Sequence, residues 1–380
     1  MTILTKKKIT YGLAIAGLLC ISLSIAGAVF VYGNLQRITV HAHPAASVIS
    51  TPLPTPKPHI NAFNQLEPYT VALLGYGGGT HEGGKLTDSM MIIHIVPKQQ
   101  KIFMISIPRD LWIALPIKGD QKSYWKINAA YPIGLDDRKY TEKPIQYTGE
   151  AGGGELTKYA FQTVTGLHID HFLSLDFSGF KKSIDVLKGI DVKVDRPFDD
   201  TLYPIEGQEA NTCGKSDADV KVATATMSAT QIENAHLFPC RYEHLHFDPG
   251  VIHMDGETAL KYARSRHSSV DGGDFNRAAR QRTIMLALKQ RVFSVSFFPK
   301  ILPFISSLSY NLQTDISGSD LEEFLTYRND LSTYKIIGSA LTDQNVLKQT
   351  RSADRQDILV PQAGIDNWES VQQWLLLQML

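Results

Sequence analysis

The sequence predicts an α/β domain in which helices cover a sheet, and three observations carry that prediction. Residues 69–75, 89–96 and 101–107 are short, strongly apolar runs that suit buried strands. Stretches around residues 154–165, 177–188, 256–262 and 275–293 read as helices. The two kinds of element are mixed along the chain, as they are when helices pack on a sheet.

Before the first strand the chain has a different character. Lys6, Lys7 and Lys8 precede an uncharged run at residues 11–32, about 33 Å long as a helix and enough to cross a bilayer core. A retained transmembrane anchor is expected, because a cleavable signal has a shorter apolar region. The lysines place residues 1–10 in the cytoplasm and everything after the anchor outside, in a single-pass protein of the cell membrane. Residues 33–68 are expected to be a linker, with Pro44, Pro52, Pro54, Pro56 and Pro58 favouring extended conformations. A main domain over 69–300 is expected to follow, and then a C-terminal extension, 301–380, packed on or following it. The chain has 38 Lys and Arg against 38 Asp and Glu. That balance, with the outward topology, argues against nucleic acid as a partner.

Of three cysteines, Cys20 falls in the anchor, which leaves Cys213 and Cys240 in one polar, outward-facing segment. A disulfide between them is expected, with two free thiols as the alternative.

Charge is unevenly distributed. Between Lys261 and Arg282 stand six cations (Lys261, Arg264, Arg266, Arg277, Arg280 and Arg282) against the carboxylates Asp271 and Asp274. On a helix, Asp274, Arg277, Arg280 and Gln281 fall within an arc of roughly 120°. Arg264 and Arg266 share a face if their segment is extended. Guanidinium forks match phosphate oxygens in pairs, so the cluster suits a phosphate or pyrophosphate; a solvated helix face is the bland alternative.

The glycine-rich loop at residues 75–84 has neither the Gly-Lys-Ser/Thr ending of a nucleotide loop nor dinucleotide spacing, so ATP and NAD are not expected. It reads either as a surface turn or as backbone that approaches a ligand. Asp88 opens one predicted strand and Arg109-Asp110 closes the next, and α/β proteins assemble sites at strand ends. A turn cap and a structural ion pair are the competing readings. Lys126 and Asn128 look like an ordinary helix start, and the histidines show no metal-ligand spacing.

Taken together, Thr87-Asp88-Ser89-Met90-Met91, Ser106-Ile107-Pro108-Arg109-Asp110, Lys126-Ile127-Asn128-Ala129-Ala130-Tyr131, Gly189-Ile190-Asp191-Val192, Asp255-Gly256-Glu257-Thr258-Ala259-Leu260 and the arginine cluster resemble, in order, the LytR-CpsA-Psr proteins. The resemblance covers about residues 69–293. It implies an α/β/α fold around a mixed sheet with an apolar channel for a polyprenyl tail. It also implies transfer of a glycopolymer from a polyprenyl-pyrophosphate carrier to peptidoglycan outside the membrane, usually with Mg²⁺. Carried over residue by residue, it makes Asp88, Arg109, Arg264, Arg266, Asp274 and Arg277 the catalytic set, with Asp88 on the metal. Lys85, Asp110, Lys126, Asn128, Arg280 and Gln281 complete the expected pyrophosphate and lipid contacts. Gly77 stands where the family commonly has an Asp, and Leu86 where an Arg is common. The segment holding Cys213 and Cys240 looks like a subgroup insertion. Carboxylates among the arginines favour an enzyme over a passive binder of lipid pyrophosphates or anionic wall polymers, and a lipid-pyrophosphate hydrolase stays open as the alternative enzyme.

Overall fold

The computed structural model describes residues 36–43, 67–79, 84–119, 121–225, 237–268, 270–292, 310–320 and 333–380, with Gly33, Met227, Phe304 and Leu308. β1 (Tyr69–Tyr76), β2 (Thr87–Val96) and β3 (Lys101–Ser106) form an antiparallel meander. β4 (Trp112–Lys118) and β5 (Gln121–Lys126) make a hairpin beyond it. β6 (His171–Asp176) lies parallel to β1. β7 (Ile190–Val194), β8 (Phe198–Pro204), β9 (Tyr242–Phe247) and β10 (Gly250–Met254) pair as β7 with β10 and β8 with β9. β11 (Leu312–Thr314) and β12 (Lys335–Ala340) supply the two edges of the central sheet, whose order is β11-β6-β1-β2-β3-β12. β13 (Leu347–Arg351) and β14 (Asp357–Pro361) form a last hairpin.

The helices are α1 (Ala130–Leu135), α2 (Gly152–Thr165), α3 (Phe177–Val186), α4 (Asp217–Thr224), α5 (Gly256–Arg264), α6 (Gly273–Val292) and α7 (Glu369–Met379). Alternate residues of the three central strands enter opposite layers, as the pleat requires. Ala72, Leu74, Met90, Ile92, Phe103 and Ile105 pack with Leu156, Phe161 and Val164 of α2 and Leu375 of α7. Leu73, Met91, Ile93 and Met104 face the other way, toward Met285 of α6. Both faces are therefore buried, which is why these strands read as continuous apolar runs.

Glycines set how closely one layer approaches. A Cβ on Gly154 would lie 2.1 Å from Phe172 Cε1, and one on Gly152 would lie 2.5 Å from the Gly134 carbonyl oxygen. The triplet Gly152-Gly153-Gly154 thus lets α2 seat against α1 and β6, and the helix begins two residues before the predicted start.

Two expected boundaries shift. Part of the expected linker belongs to the fold: Thr39 bridges Thr314, the Val40 N–H donates to the Thr314 carbonyl at 2.8 Å, and Ile38 and Val40 are buried. The expected C-terminal extension supplies both edge strands and α7, so the domain does not end near residue 300. The predicted anchor at 11–32 lies outside the described residues, among which no helix is long and apolar enough to cross a membrane.

Candidate active site

The site is assembled where β2 begins and β3 ends. Arg109 Nη1 donates to Asp88 Oδ1 at 2.8 Å, and its Nε lies 3.4 Å from Asp110 Oδ2. The β4–β5 hairpin returns the chain so that Lys126 Nζ reaches Asp110 Oδ1 at 2.7 Å. Lys126, Asp110, Arg109 and Asp88 thus alternate in sign along one line, each partly exposed. A chain of paired charges holds each member in a fixed orientation at little net cost in local charge. From the other side Arg277 Nη2 donates to the Asp88 carbonyl at 3.1 Å, which ties α6 to the start of β2.

Arg264 ends α5, whose first turn is fixed by the Asp255 carboxylate accepting from the Thr258 N–H at 2.8 Å. The Arg264 guanidinium sits 4.3 Å from the centre of the Phe177 ring and donates to Tyr203 Oη at 3.3 Å. Stacking on an aromatic face orients the fork while leaving donors for an anion. Beyond it, residues 265–267 wrap around Asp200, which is fully buried. Its carboxylate accepts from Ser265 Oγ, from the Arg266 and His267 N–H groups at 3.0 Å each, and from the Leu202 N–H at 2.9 Å. Burial pushes this carboxyl upward, but these hydrogen bonds, led by Ser265, outweigh it and hold it below the usual range.

Three cavities meet here. A polar one of about 220 Å³ is lined by Asp88, Ser89, Phe177, Tyr203, Arg264, Arg266, His267, Arg277 and Gln281, among others. Its cations and hydrogen-bond donors suit a phosphate or pyrophosphate. An apolar one of about 400 Å³ lies between the sheet and α3 and α6, lined by Leu73, Met91, Leu173, Leu175, Phe180, Ile284, Leu288 and Leu312. It shares Ser89, Phe177, Arg264 and Gln281 with the polar cavity, so a tail in one can carry its head group in the other. A third, of about 640 Å³, shares Asp88, Arg277 and Gln281 with the polar cavity and extends toward β13 and β14.

Asp88, Arg109, Arg264, Arg266, Arg277 and Gln281 are thus brought together, with Asp110 and Lys126 alongside. Arg280 is not part of the cavity walls. It is 2% exposed and donates to the Tyr262 carbonyl at 3.0 Å, to the Asp271 carbonyl at 2.5 Å and to the Ser265 carbonyl, and it pairs with the Asp271 carboxylate at 3.2 Å. The expected stripe is therefore split: Arg277 and Gln281 face the cavities, whereas Arg280 braces the loop between α5 and α6. Asn128 is buried and tied in through its backbone, its N–H to the Arg109 carbonyl and its carbonyl accepting from Thr87 Oγ1, rather than lining a cavity. Lys85 is exposed in the turn before β2, outside all three cavities. Asp274 is the second residue of α6, and its side chain lies outside the described part of the structure.

Sequence reasoning missed Asp200, Phe177 and Tyr203. Asp200 sits in an Asp-Asp pair with no cation beside it to mark it, and the aromatic residues look like core. For metal, no group of three or more His, Cys, Asp or Glu converges among the described residues. Mg²⁺ often binds through one or two carboxylates plus substrate phosphates, so Asp88 fits an ion arriving with its substrate rather than one caged by protein. A Cβ on Gly77 would meet only ordinary contacts, Phe177 at 3.7 Å and the Gly84 carbonyl oxygen at 3.8 Å.

Comparison with known proteins agrees with this architecture. The polyisoprenyl-teichoic acid–peptidoglycan teichoic acid transferase TagU of Oceanobacillus iheyensis is 26% identical over 331 residues, 86% of this chain and 84% of its own. The corresponding transferase TagV of Bacillus subtilis is 30% identical over 252 residues, 66% of this chain and 50% of its own. The crystal structure of B. subtilis TagV superposes with a TM-score of 0.53 at 25% identity, covering 83% of this chain and 98% of that one. The model of the LytR_cpsA_psr family matches residues 38–359, beginning where Ile38 enters the fold and ending in β14, and the chain belongs to that family.

Proposed function

We propose that the protein is a membrane-anchored transferase that moves a glycopolymer from a polyprenyl-pyrophosphate carrier to peptidoglycan, outside the cytoplasm. The observation that carries this reading is the junction of an apolar cavity with a cationic one at Arg264 and Gln281. A lipid tail and its pyrophosphate need such a junction. The relatives named as teichoic acid transferases give the same direction.

In the reaction an acceptor hydroxyl oxygen bonds to the phosphorus that carries the glycan, and the bridging P–O bond to the lipid phosphate breaks. Polyprenyl phosphate departs and takes up the hydroxyl proton. The attacking oxygen meets a phosphorus surrounded by negative oxygens, so the site's task is to neutralise charge and align groups. Arg264, Arg266 and Arg277 supply the charge, and Arg109 holds Asp88 in place. A Mg²⁺ bound by Asp88 and the pyrophosphate would add further neutralisation.

The test uses the full chain in detergent with a lipid-linked glycan and peptidoglycan fragments, seeking the joined product by mass. The expected result is a joined product from the parent. Asp88→Asn should retain lipid-pyrophosphate binding and lose most turnover. Hydrolysed glycan without joining would favour a hydrolase, and unchanged turnover in Asp88→Asn would remove that residue from the chemistry.

A further inference from the structure

The third cavity meets the polar site at Asp88, Arg277 and Gln281 and extends away from both the lipid and its pyrophosphate toward β13 and β14, and we propose that this outer part is the subsite for the acceptor glycan. In this reading Asp343, Gln344 and Gln349 recognise sugar hydroxyls and amides, and Phe275 offers a ring face. The inference rests on the transferase reading and deepens it by assigning the acceptor a place.

Direction is the first argument. In phosphoryl transfer the attacking and leaving oxygens lie roughly in line across the phosphorus. The leaving polyprenyl phosphate belongs on the side of the apolar cavity, over β6, β1 and β2. The cavity of about 640 Å³ adjoins the polar site from another side, at the end of β3 and beside β12, and shares only Gln281 with the apolar one. A hydroxyl held there therefore approaches the phosphorus past Asp88 and Arg277, away from the lipid.

Charge is the second. Among the described lining residues the cations stand at the inner end, where Arg109 and Lys126 are paired with Asp88 and Asp110 and Arg277 donates to the Asp88 carbonyl. The outer wall offers Asp343 and Asp357 with the amides of Gln344 and Gln349. Gln349 Nε2 donates to Asp343 Oδ2 at 2.9 Å, which presets both side chains, and Asp357 pairs with Arg351 at 3.0 Å. With Asp357 paired, the outer wall presents amides and the Asp343 carboxylate, which suit a hydroxyl- and amide-bearing glycan better than a phosphate-rich polymer. Its volume also falls within the range of specific ligand sites.

The experiment compares the full-length parent with the Asp343→Ala/Gln349→Ala double variant and with Phe275→Ala. One arm measures binding of an uncrosslinked peptidoglycan tetrasaccharide, and the other binding of a polyprenyl-pyrophosphate-linked glycan. We expect the double variant to bind the tetrasaccharide about tenfold more weakly, as the loss of two modest hydrogen bonds implies, with donor affinity within about twofold of the parent. Phe275→Ala should show the same selectivity. Tetrasaccharide affinity unchanged in the variants, or no binding by the parent at millimolar fragment, overturns the assignment. A parallel loss of donor affinity overturns it too, since the cleft would then hold the donor's glycan. Because both arms are equilibrium measurements, they decide the point even if the parent forms no joined product, a result that would count against the transferase reading alone.

Discussion

Arg277 and Arg280 stand three residues apart on one helix and carry out different tasks. Arg277 lines the cavities and anchors the start of β2, whereas Arg280 satisfies three backbone carbonyls and the Asp271 carboxylate. Arg280→Ala should therefore lower stability, because each buried carbonyl left without a donor costs on the order of 1–3 kcal/mol. Arg264→Ala should leave stability near that of the parent and weaken lipid-pyrophosphate binding by about 1.5–3 kcal/mol, the value of a charge-assisted hydrogen bond. Urea denaturation alongside binding separates the two, and equal effects on both properties in both variants would contradict the division. Asp200 makes a third residue-scale prediction. Its folded carboxyl is held below the usual range, so its contribution is present above about pH 4 and is lost as pH falls through the folded value. Asp200→Asn should thus be less stable than the parent near neutrality, with the gap narrowing in acid; a gap independent of pH would show that the carboxylate's charge is not what orders residues 265–267.

At the scale of elements, the sequence made some features plain and concealed others. β1, β2 and β3 were legible because burial on both faces leaves an uninterrupted apolar signature, and the helices expected around residues 177–188 and 256–262 are α3 and α5, which the structure shows to be capped by Asp176 and Asp255. The β4–β5 and β8–β9 hairpins were not, since their burial is partial or broken by register shifts at Leu115/Lys118 and Asp200/Tyr203. In the site, charged side chains at strand ends could be read directly. The split of the α6 stripe could not, because helical phase tells which residues share a face and not which neighbours compete for them. The expected disulfide is present between Cys213 and Cys240, 27 residues apart, closing a segment that ends beside β9. In the chain-entropy model such a loop is worth about 3.5 kcal/mol. Thiol labelling of the denatured full chain should find one cysteine before reduction and three after it. Three labelled without reductant would show that the bridge does not form in the protein.

At the scale of the whole molecule, a short stretch of chain before β1 packs behind the apolar cavity. Ile38 packs with Leu308 and Leu312, against Leu173, Leu175 and Phe304, and those five partners also line the apolar cavity. The strand-like pairing of Thr39 and Val40 with Thr314 fixes Ile38 in that position. Residues 38–40 therefore back the wall of the apolar cavity, and the chain between the proposed anchor and β1 is in that part not a free tether. Two truncations of the chain distinguish these views. A protein beginning at residue 36 keeps the pairing, whereas one beginning at residue 67 loses it together with the buried Ile38 and Val40 side chains. Each such side chain contributes about 1.5–3 kcal/mol when buried, so the shorter protein should unfold at a midpoint lower by roughly 3–8 °C. With Ile38 gone, the β11 edge and the residues of the 304–312 segment lose a packing partner, and the cavity wall they form should loosen. The shorter protein should then bind polyprenyl phosphate more weakly than the longer one, while both bind inorganic pyrophosphate alike, because none of the residues that line the polar cavity belongs to β11 or to the 304–312 segment. Equal polyprenyl phosphate affinity in the two proteins would return residues 36–43 to the role of a spacer.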